Sequence, residues 1–540
     1  MKISVLLGPP GCGKTTECAR WAARATTRYG HDRVLVCSLT KAGAKQASRD
    51  VALPYSQLGT VHGFASRALG SPTIAEAKVK EWNEAYPTYA LSAHSGTTDD
   101  SYGSKDGETY GDDAKLQASW YRTMGIPMTQ WPESVAGFYE KWTDWKKQCG
   151  YLDFTDLIEV AYTDCDKAPG DPAVILCDEA QDTGGLEMKL LMKWGEKAEH
   201  LVFLGDSQQA IFSWRGSDPL LLQNMCLKYE GTVEVKDRLK QSYRLSRAVY
   251  AEAYRWAQRF EQTIPIAFVP RDVEGSVQRL SSSFKKFSQG EIERLVEQYT
   301  QDDNTLMFQT TCGYMLHAVI TRLRDAGIPF HNPSRPNHGK WNPLPKGRSG
   351  SLTVIDRVLA FTRPDSLIWN EQARFWSVRD IKAWAAGLPV ENILARGKRK
   401  EIESLSDKAT DEDIADMIPS WFTPEALAHI VPKPDVSWYM EHMSKGSDVL
   451  REYVLKIIDR RGVATLRQRP QVIVGTVHSL KGAEASTVVM CPDISMQAYE
   501  AIRQSSDAAE EMRRVFYVGL TRAKDSLLLC SPGSKLAVLW

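Results

Sequence analysis

The chain has 540 residues, enough for about three or four domains of ordinary size. Its 67 lysine and arginine residues equal its 67 aspartate and glutamate residues, so the formal net charge is zero. This balance excludes a protein that binds polyanions over its whole surface, and it requires contacts with nucleic acid to come from local patches. The sequence contains no apolar run of membrane-spanning length and enters an apolar segment at once, so we expect a cytoplasmic protein.

A glycine-rich loop at 8–15 (GPPGCGKT) follows an apolar run at 3–7 and precedes a helical pattern at 14–27. It fits the phosphate-binding pattern G-x-x-x-x-G-K-[ST]. Its glycines let backbone N–H groups approach a phosphate, its lysine adds a positive charge, and its threonine hydroxyl can bind Mg²⁺. The residues that we assign to the nucleotide here are Gly8, Gly11, Gly13, Lys14, Thr15 and Thr16. The loop alone leaves an NTPase and a kinase open.

Further apolar runs at 33–38, 173–177 and 201–204 predict strands of the same parallel sheet. The run at 173–177 leads into DEAQD, and ligands bind at the carboxyl ends of parallel strands. Asp178 is predicted to hold Mg²⁺, and Glu179 to orient or deprotonate a water molecule. The alternative, an acidic helix start favoured by the helix dipole, is outweighed by the glycine-rich loop.

Two shorter stretches carry further candidate binding residues. The segment 205–216 (GDSQQAIFSWRG) offers Gln209 as a γ-phosphate sensor, and it offers an aromatic and cationic platform for bases in Phe212, Trp214 and Arg215. The segment 59–64 (GTVHGF) contains a threonine and a histidine, which by themselves are more often helix caps or satisfied core groups.

The stretch between these segments differs in composition. Residues 92–113 are rich in Gly, Ser, Thr and Asp and predict a mobile surface insert. Aromatic residues then recur at helical spacing over 120–145 beside several lysines. Such a pattern usually marks a core, with base stacking as the less frequent alternative.

DEAQD followed by GDSQQAIFSWRG resembles motifs II and III of the UvrD/Rep/PcrA helicases of superfamily 1A. The other family motifs can also be matched along the chain. They are 8–16 (motif I), 38–45 (Ia), 59–65 (the next single-strand contact), 151–158 (the return from the first insertion), 241–244 (IV), 475–484 (V) and 513–524 (VI).

The resemblance implies an α/β fold with two RecA-like P-loop NTPase lobes, each a parallel sheet flanked by helices and each with a mainly helical insertion. The expected parts are lobe 1A (1–70 and 150–235), insertion 1B (71–149, with a mobile acidic loop at 92–113), lobe 2A (236–332 and 471–540) and insertion 2B (333–470). Apolar runs at 305–308, 472–474, 487–490 and 527–529 support the second lobe independently.

The resemblance also assigns roles to individual residues. ATP and Mg²⁺ would lie between the lobes, with Thr15 and Asp178 at the metal. The catalytic residues implied are Lys14, Glu179, Gln209, Arg244 and Arg522, of which the two arginines reach the γ-phosphate. The further nucleotide contacts implied are Tyr243 on the base, Glu484 on the ribose and Gly482 in the same loop. The single-stranded DNA contacts implied are Thr40, Thr60, His62, Phe212, Trp214, Arg215 and His478.

The sequence departs from the family pattern at several places. Leu39 and Val61 stand where the family has phenylalanines, so we expect a weaker grip of the first lobe on DNA. The family's G-L-E-F is GAEA at 482–485, and no glutamine-containing adenine motif lies upstream of 3–7. The first change is expected to loosen that loop, and the second leaves a strict preference for ATP open. A basic run at 396–400 can either meet phosphates or form a solvated helix end.

The implied function is an ATP-dependent 3′-to-5′ DNA helicase or translocase. Its expected ligands are single-stranded DNA and single-strand/duplex junctions, and the expected state is a monomer, with an accessory protein left open. Two alternatives remain. One is a translocase or nucleoprotein-clearing ATPase that barely unwinds alone, and the other is a nucleotide-gated DNA sensor in a larger complex.

Overall fold

The computed structural model describes residues 2–38, 53–92, 109–228, 239–263, 266–336, 338–344, 352–363, 376–406, 409–431, 433–443 and 448–540. The predicted DNA contact Thr40 and the neighbouring Leu39 lie outside the described residues, as do residues 93–108 of the predicted insert. Among the residues that are described, no helix combines the length and the apolar character needed to cross a membrane.

The first sheet has five parallel strands in the order β1-β5-β4-β2-β3. The strands are β1 (Lys2–Leu7), β2 (Val34–Ser38), β3 (Leu58–Gly59), β4 (Val174–Asp178) and β5 (His200–Gly205). Four of them were predicted to within two residues, because a strand buried on both faces is a continuous apolar run. The prediction missed β3, since two residues carry no pattern.

Helices cover both faces of this sheet. Lys14–Tyr29 packs small side chains, Cys18, Ala22 and Ala25, against one face. The other face is covered by three helices that share one apolar cluster with it, namely Val61–Ala68, Phe154–Asp164 and Gly185–Lys197. The other α-helices that the structure describes before residue 230 are Val79–Ala85, Tyr110–Met124, Glu133–Cys149 and Leu221–Lys228. The sheet thus lies between two layers of helices in a three-layer α/β arrangement.

The prediction of a mobile insert over 92–113 is wrong for residues 109–113. Thr109 caps the helix Tyr110–Met124, since its hydroxyl accepts a hydrogen bond from Asp112 N and the Asp112 carboxylate accepts one from Thr109 N (2.9 Å). Asp112 Oδ1 also accepts a hydrogen bond from Ser92 N (3.0 Å). Polar composition suggested a loop, but a capping box uses the same residue types to begin a helix.

The aromatic residues after this point form a core, as their helical spacing predicted. Trp82, Phe138, Trp142 and Trp145 are buried together in one cluster. Trp82 and Trp142 pack edge to face with ring centroids 4.9 Å apart, a favourable geometry for aromatic pairs. These buried rings stabilise the helices that carry them.

A buried ion network fixes the insertion to the helix Phe154–Asp164. Arg122 Nη1 lies 3.1 Å from Asp153 Oδ2, and Arg122 Nη2 lies 2.6 Å from Asp156 Oδ1. Lys146 Nζ lies 2.5 Å from Asp153 Oδ2. Burial alone would raise the pKa of Asp153, but Arg122 and Lys146 outweigh it and hold the pKa well below its usual range.

We expect Asp153→Asn to lower the free energy of unfolding by about 3–5 kcal/mol, because it leaves two buried cations short of a partner. Asparagine still caps a helix, so the loss reports on charge. The control is Asp166→Asn, whose exposed pair with Lys193 (3.0 Å) is screened by solvent and should contribute little to stability. Thermal and urea denaturation measure both, and equal effects of the two changes would contradict the assignment.

The second sheet has six strands in the order β6-β11-β10-β7-β9-β8. They are β6 (Ser276–Arg279), β7 (Leu306–Thr310), β8 (Phe330–His331), β9 (Val472–Thr476), β10 (Ala485–Met490) and β11 (Ala523–Leu529). The pairs β10/β11, β11/β6 and β8/β9 are parallel. The four apolar runs predicted for this sheet are confirmed, whereas the partly polar β6 and the two-residue β8 were missed. The helices described in this half are Arg247–Ala257, Gln289–Tyr299, His317–Asp325, Val354–Phe361, Val378–Ala385, Lys398–Glu403, Asp411–Trp421, Pro424–Ile430, Val436–His442, Asp448–Arg461, Met496–Gln504 and Ser506–Leu520.

The chain divides into two compact units. One consists of Met1–Ser283, Gln309–Met315 and Thr476–Trp540, and the other of Phe284–Phe308 and Leu316–Gly475. The first unit contains the glycine-rich loop together with motifs II, III, IV and VI and most of motif V. All described candidate site residues therefore belong to one unit, whereas the four-part division remains a prediction.

Candidate active site

The glycine-rich loop joins β1 to the helix Lys14–Tyr29. Gly11 and Gly13 have φ values of +70° and +80°, which favour glycine. A Cβ at Gly8 would lie 2.6 Å from Cys12 Sγ, so the loop has no room for one. Lys14 is buried, and its Nζ donates hydrogen bonds to Gly8 O (2.7 Å) and Pro9 O (3.3 Å). The loop thus combines helix N-terminal N–H groups with one ammonium group, a set that fits a phosphate.

The two predicted metal ligands lie together. Thr15 Oγ1 donates a hydrogen bond to Asp178 Oδ2 (2.9 Å), although the residues are far apart in sequence. Burial raises the pKa of Asp178 to about 6, and the neighbouring Glu179 adds to the effect. A hydroxyl and a carboxylate are oxygen ligands of the kind Mg²⁺ prefers, and a divalent cation would stabilise the Asp178 carboxylate. These residues therefore fit a magnesium ion.

Glu179 has an unusual backbone. Its φ of +53° lies in the left-handed region, which costs roughly 1–2 kcal/mol for a residue with a side chain. Gln181 Nε2 donates a hydrogen bond to Glu179 Oε2 (2.5 Å). Burial alone would raise the pKa of Glu179, but Lys14 and Lys481 outweigh it and lower the net pKa. The strained turn thus presents an ionised carboxylate beside the phosphate loop.

Gln209 and Arg522 are in direct contact, as expected for two groups assigned to the γ-phosphate. Gln209 Nε2 donates to Asp206 Oδ2 (2.7 Å), and Arg522 Nη2 donates to Gln209 Oε1 (2.8 Å). Arg522 is 2% exposed, and its Nε donates to Val518 O (3.0 Å). Burial lowers the pKa of Arg522 to about 9, with the charge of Arg244 as the next cause. An anion such as a phosphate would stabilise this buried guanidinium.

Motif IV lies against the loop. Ser242 Oγ donates to Pro10 O (3.0 Å) and Tyr243 N donates to Gly11 O (2.8 Å). A Cβ at Gly11 would lie 2.4 Å from Arg244 Cβ, which shows how closely the two segments pack. Tyr243 is 67% exposed, and its contact with a base remains a prediction.

Glu484 is held by two cations. Arg244 Nε lies 2.8 Å from Glu484 Oε2, and Lys524 Nζ lies 2.6 Å from Glu484 Oε1. Burial opposes the charge of Glu484, but the two cations lower its net pKa. Gly482 has a φ of +85°, and a Cβ there would meet no atom within 4 Å. In this conformation Glu484 orients Arg244, and its contact with a ribose remains a prediction.

Sequence reasoning missed one ion pair at this site. Lys481 Nζ lies 2.6 Å from Asp182 Oδ1 and also donates to Gln209 O (2.5 Å). Burial raises the pKa of Asp182 to about 6, although Lys481 opposes that rise. The only signal in the sequence was that Asp182 lies in DEAQD and Lys481 lies in motif V (475–484). The pair links motifs II, III and V.

Two of the predicted DNA contacts are buried in this conformation. Phe212 is 4% exposed and His478 is 5% exposed. His478 Nε2 donates to Ile211 O (3.1 Å), and its ring lies 5.8 Å from that of Phe212. Neither ring presents a free face, so the prediction that both contact bases directly is wrong for this conformation. They support the turn instead.

Trp214 and Arg215 form the accessible part of the predicted platform. Both side chains are partly exposed. The Arg215 guanidinium lies over both aromatic rings, with Cζ 4.7 Å from the Trp214 centroid and 5.2 Å from that of Phe212. A cation held over an aromatic ring keeps that ring in place. The platform therefore consists of Trp214 and Arg215 on a buried support.

Thr60 and His62 have structural partners. Thr60 caps the helix Val61–Ala68, since its Oγ1 accepts a hydrogen bond from Gly63 N (3.1 Å). His62 Nδ1 lies 3.0 Å from Glu187 Oε1, and its ring packs edge-on against Phe154. The cap is the role that the residues alone favoured, and contact of either residue with DNA remains a prediction.

The fold and the site together define an α/β P-loop NTPase. Residues 1–215 match the family model described as AAA domain, and residues 440–532 match that of the UvrD-like helicase C-terminal domain. Both matches support the motif resemblance to the UvrD/Rep-like helicases of superfamily 1A.

The relatives that this chain resembles share low sequence identity with it. The chain is 23% identical over 491 residues to the putative ATP-dependent DNA helicase YjcD of Bacillus subtilis, covering 78% of this chain and 62% of the relative. It is 26% identical over 460 residues to the ATP-dependent DNA helicase Rep of Escherichia coli, covering 71% and 64%. It is 24% identical over 416 residues to the ATP-dependent DNA helicase UvrD2 of Mycobacterium tuberculosis, covering 71% and 52%. The chain thus spans between about half and two thirds of these relatives.

Proposed function

We propose that the protein is an ATP-dependent DNA helicase that moves 3′ to 5′ on single-stranded DNA and separates duplex. The observation that carries this proposal is the hydrogen-bonded chain from Asp206 through Gln209 to Arg522. Gln209 lies five residues before Trp214, so a single short segment joins the phosphate side of the site to the exposed platform. The names of the relatives, all ATP-dependent DNA helicases, support the same activity.

The chemistry proposed is hydrolysis of the γ-phosphate. Water attacks the γ-phosphorus, the bond to the bridging oxygen of ADP breaks, and the water proton passes to Glu179. Lys14 and Arg522 hold the phosphate oxygens by charge, and Thr15 with Asp178 would hold Mg²⁺, which neutralises developing negative charge on the phosphates. The ionised state of Glu179 suits it to orient the water and accept the proton.

Hydrolysis is coupled to DNA through Gln209. Arg522 contacts neutral oxygens in this structure, so a γ-phosphate would compete for it with Gln209 Oε1. Any change at Gln209 reaches Lys481, which is bonded to the Gln209 carbonyl, and reaches Trp214 through the intervening chain. We expect the platform to respond to the nucleotide in this way, and the nucleotide site to respond to a bound base.

We expect Trp214→Ala to weaken binding of single-stranded DNA, because stacking of a base on an aromatic ring is worth roughly 1–3 kcal/mol. The DNA-stimulated ATPase rate should fall more than the basal rate. The control, Trp214→Phe, keeps an aromatic face and should restore most of the binding. Fluorescence anisotropy with an oligothymidylate measures affinity, and equal loss of both ATPase rates would identify a purely structural residue.

Direction and unwinding are tested by two assays. The first is displacement of streptavidin from single strands biotinylated at one end, with ATP and free biotin present. Faster clearance from the 5′ end supports 3′-to-5′ movement, and faster clearance from the 3′ end overturns it. The second is strand separation of a tailed duplex without partner proteins. Displacement of streptavidin without separation of the duplex would identify a translocase that barely unwinds alone.

We also propose limited processivity and a monomeric state. Val61 is 4% exposed and belongs to the apolar core, so it offers no surface to DNA where the family has phenylalanine. The affinity should fall steeply as salt rises, because phosphate contacts release counterions. Single-turnover unwinding of duplexes of increasing length measures processivity, and sedimentation measures the oligomeric state.

A further inference from the structure

The end of the helix Tyr110–Met124 lies against the turn that carries Trp214. Trp120 Nε1 donates a hydrogen bond to Ser213 O (3.3 Å), at the start of the turn Ser213–Arg215. Gly216 follows the turn with a φ of +81°, and a Cβ there would lie 2.4 Å from Thr123 Cγ2. The helix therefore touches the turn on both sides of Trp214.

The same helix end contacts the segment that follows motif II. Cβ atoms at Gly184 and Gly185 would each lie 3.3 Å from an atom of Thr123. Gly185 N donates to Gly216 O (3.2 Å), and Gly184 pairs with Ser217 in an isolated bridge. Three segments thus meet at backbone distance, and we call 120–123, 184–185 and 213–217 together the glycine junction.

The carboxylate of Glu187 connects the glycine junction to His62. Gly184 N donates to Glu187 Oε2 (2.9 Å), while the other Glu187 oxygen lies 3.0 Å from His62 Nδ1. Burial opposes the charge of Glu187, but His62, Gly184 N and Arg215 together lower its pKa. Of the predicted DNA contacts, His62 therefore pairs with this buried carboxylate, and the charge of Arg215 acts on it electrostatically.

The opposite side of the helix is fixed. Arg122 lies between Trp120 and Thr123 in sequence and is bound to Asp153 and Asp156 in the buried ion network. The helix end therefore cannot shift without breaking buried ion pairs, which is costly. It provides a rigid surface on which a short turn can be held.

We propose that the helix Tyr110–Met124 is a positioning element for DNA-coupled hydrolysis, with Trp120 as its positioning residue. Trp120 holds the carbonyl of Ser213, which lies between Gln209 and Trp214. With that carbonyl fixed, a displacement of Trp214 by a base is transmitted along the chain to Gln209. If that carbonyl is not held, the turn changes its conformation and the displacement does not reach Gln209. This inference rests on the proposed function and assigns part of its coupling to the first insertion.

The coupling is measured as the ratio of the dissociation constants of an oligothymidylate without and with a non-hydrolysable ATP analogue. By linkage, the same factor describes the effect of DNA on nucleotide affinity. We expect Trp120→Phe, which removes the N–H donor and keeps the ring, to move the ratio about fivefold toward unity. Basal ATPase activity should stay within about twofold, because Trp120 is not among the residues assigned to the nucleotide site.

The matched control is Trp540→Phe. Trp540 Nε1 also donates to a backbone carbonyl, Cys530 O (2.9 Å), and its ring packs on Trp256 and Phe516. This variant loses the same kind of hydrogen bond outside the glycine junction and should keep the wild-type ratio. A second junction variant, Thr123→Ala, removes the methyl group that packs against Gly216, and it should also move the ratio toward unity.

An unchanged ratio in both Trp120→Phe and Thr123→Ala, beside a wild-type protein that couples the two ligands, would overturn this inference and leave the proposed function intact. A wild-type protein that neither hydrolyses ATP nor binds the oligonucleotide would overturn the proposed function as well. An equal shift of the ratio toward unity in Trp540→Phe would show a general loss of stability and would also contradict the role of the junction.

Discussion

Replacement of Lys14 by alanine is expected to remove most ATP hydrolysis, by about 10²–10³-fold in turnover. Lys14 supplies the one ammonium group within the glycine-rich loop, and its Nζ is already held inside the loop by Gly8 O and Pro9 O. Alanine leaves the backbone N–H groups in place but removes the charge that stabilises the transferred phosphate. Phosphate release at saturating ATP and single-stranded DNA measures the effect.

The control for Lys14→Ala is Lys189→Ala, since Lys189 is exposed on the helix Gly185–Lys197. This variant should keep wild-type turnover. Circular dichroism and thermal denaturation would establish that both variants fold. Near-normal turnover in folded Lys14→Ala would contradict the assignment of the phosphate site.

The second large effect is expected for Glu179→Gln, which should bind Mg-nucleotide and single-stranded DNA but turn over at least about 10²-fold more slowly. Glutamine keeps the size of the side chain but cannot accept the proton of the attacking water. It also removes a negative charge that raises the pKa of Asp178, so the metal site should not be weakened. Equilibrium binding of a fluorescent nucleotide and single-turnover hydrolysis separate the two effects.

Glu199→Gln is the matched control for Glu179→Gln. Glu199 accepts a hydrogen bond from Tyr29 OH (2.8 Å) at the surface, and its replacement should leave turnover unchanged. Loss of nucleotide binding in Glu179→Gln would assign the carboxylate to binding, against the division of roles proposed here.

The strands of both sheets could be predicted where they were long and buried on both faces. The runs at 3–7 and 173–177 are continuous apolar segments, which is the pattern of a parallel strand covered by helices. The two-residue strands β3 and β8 carry no such pattern, because their pairing depends on neighbours distant in sequence. The start of the helix at Tyr110 was missed because cap residues and loop residues are the same types.

The candidate site was predictable in its phosphate loop and only partly in its DNA contacts. Glycines and lysine at fixed spacing define a backbone conformation, so Gly8 and Lys14 could be assigned from sequence. An aromatic residue in a motif can either stack on a base or support the turn, and burial alone separates Trp214 from Phe212. The pair of Lys481 and Asp182 joins residues 299 positions apart in sequence, which no local pattern can indicate.

The central claim, that this site couples ATP hydrolysis to single-stranded DNA, is tested most directly by the steady-state rate of phosphate release from Mg-ATP with and without an oligothymidylate. The proposal predicts that DNA raises the turnover at least about tenfold in the wild-type protein. It also predicts that Trp214→Ala loses most of this stimulation while retaining its basal rate. A wild-type rate that is the same with and without DNA would contradict the claim.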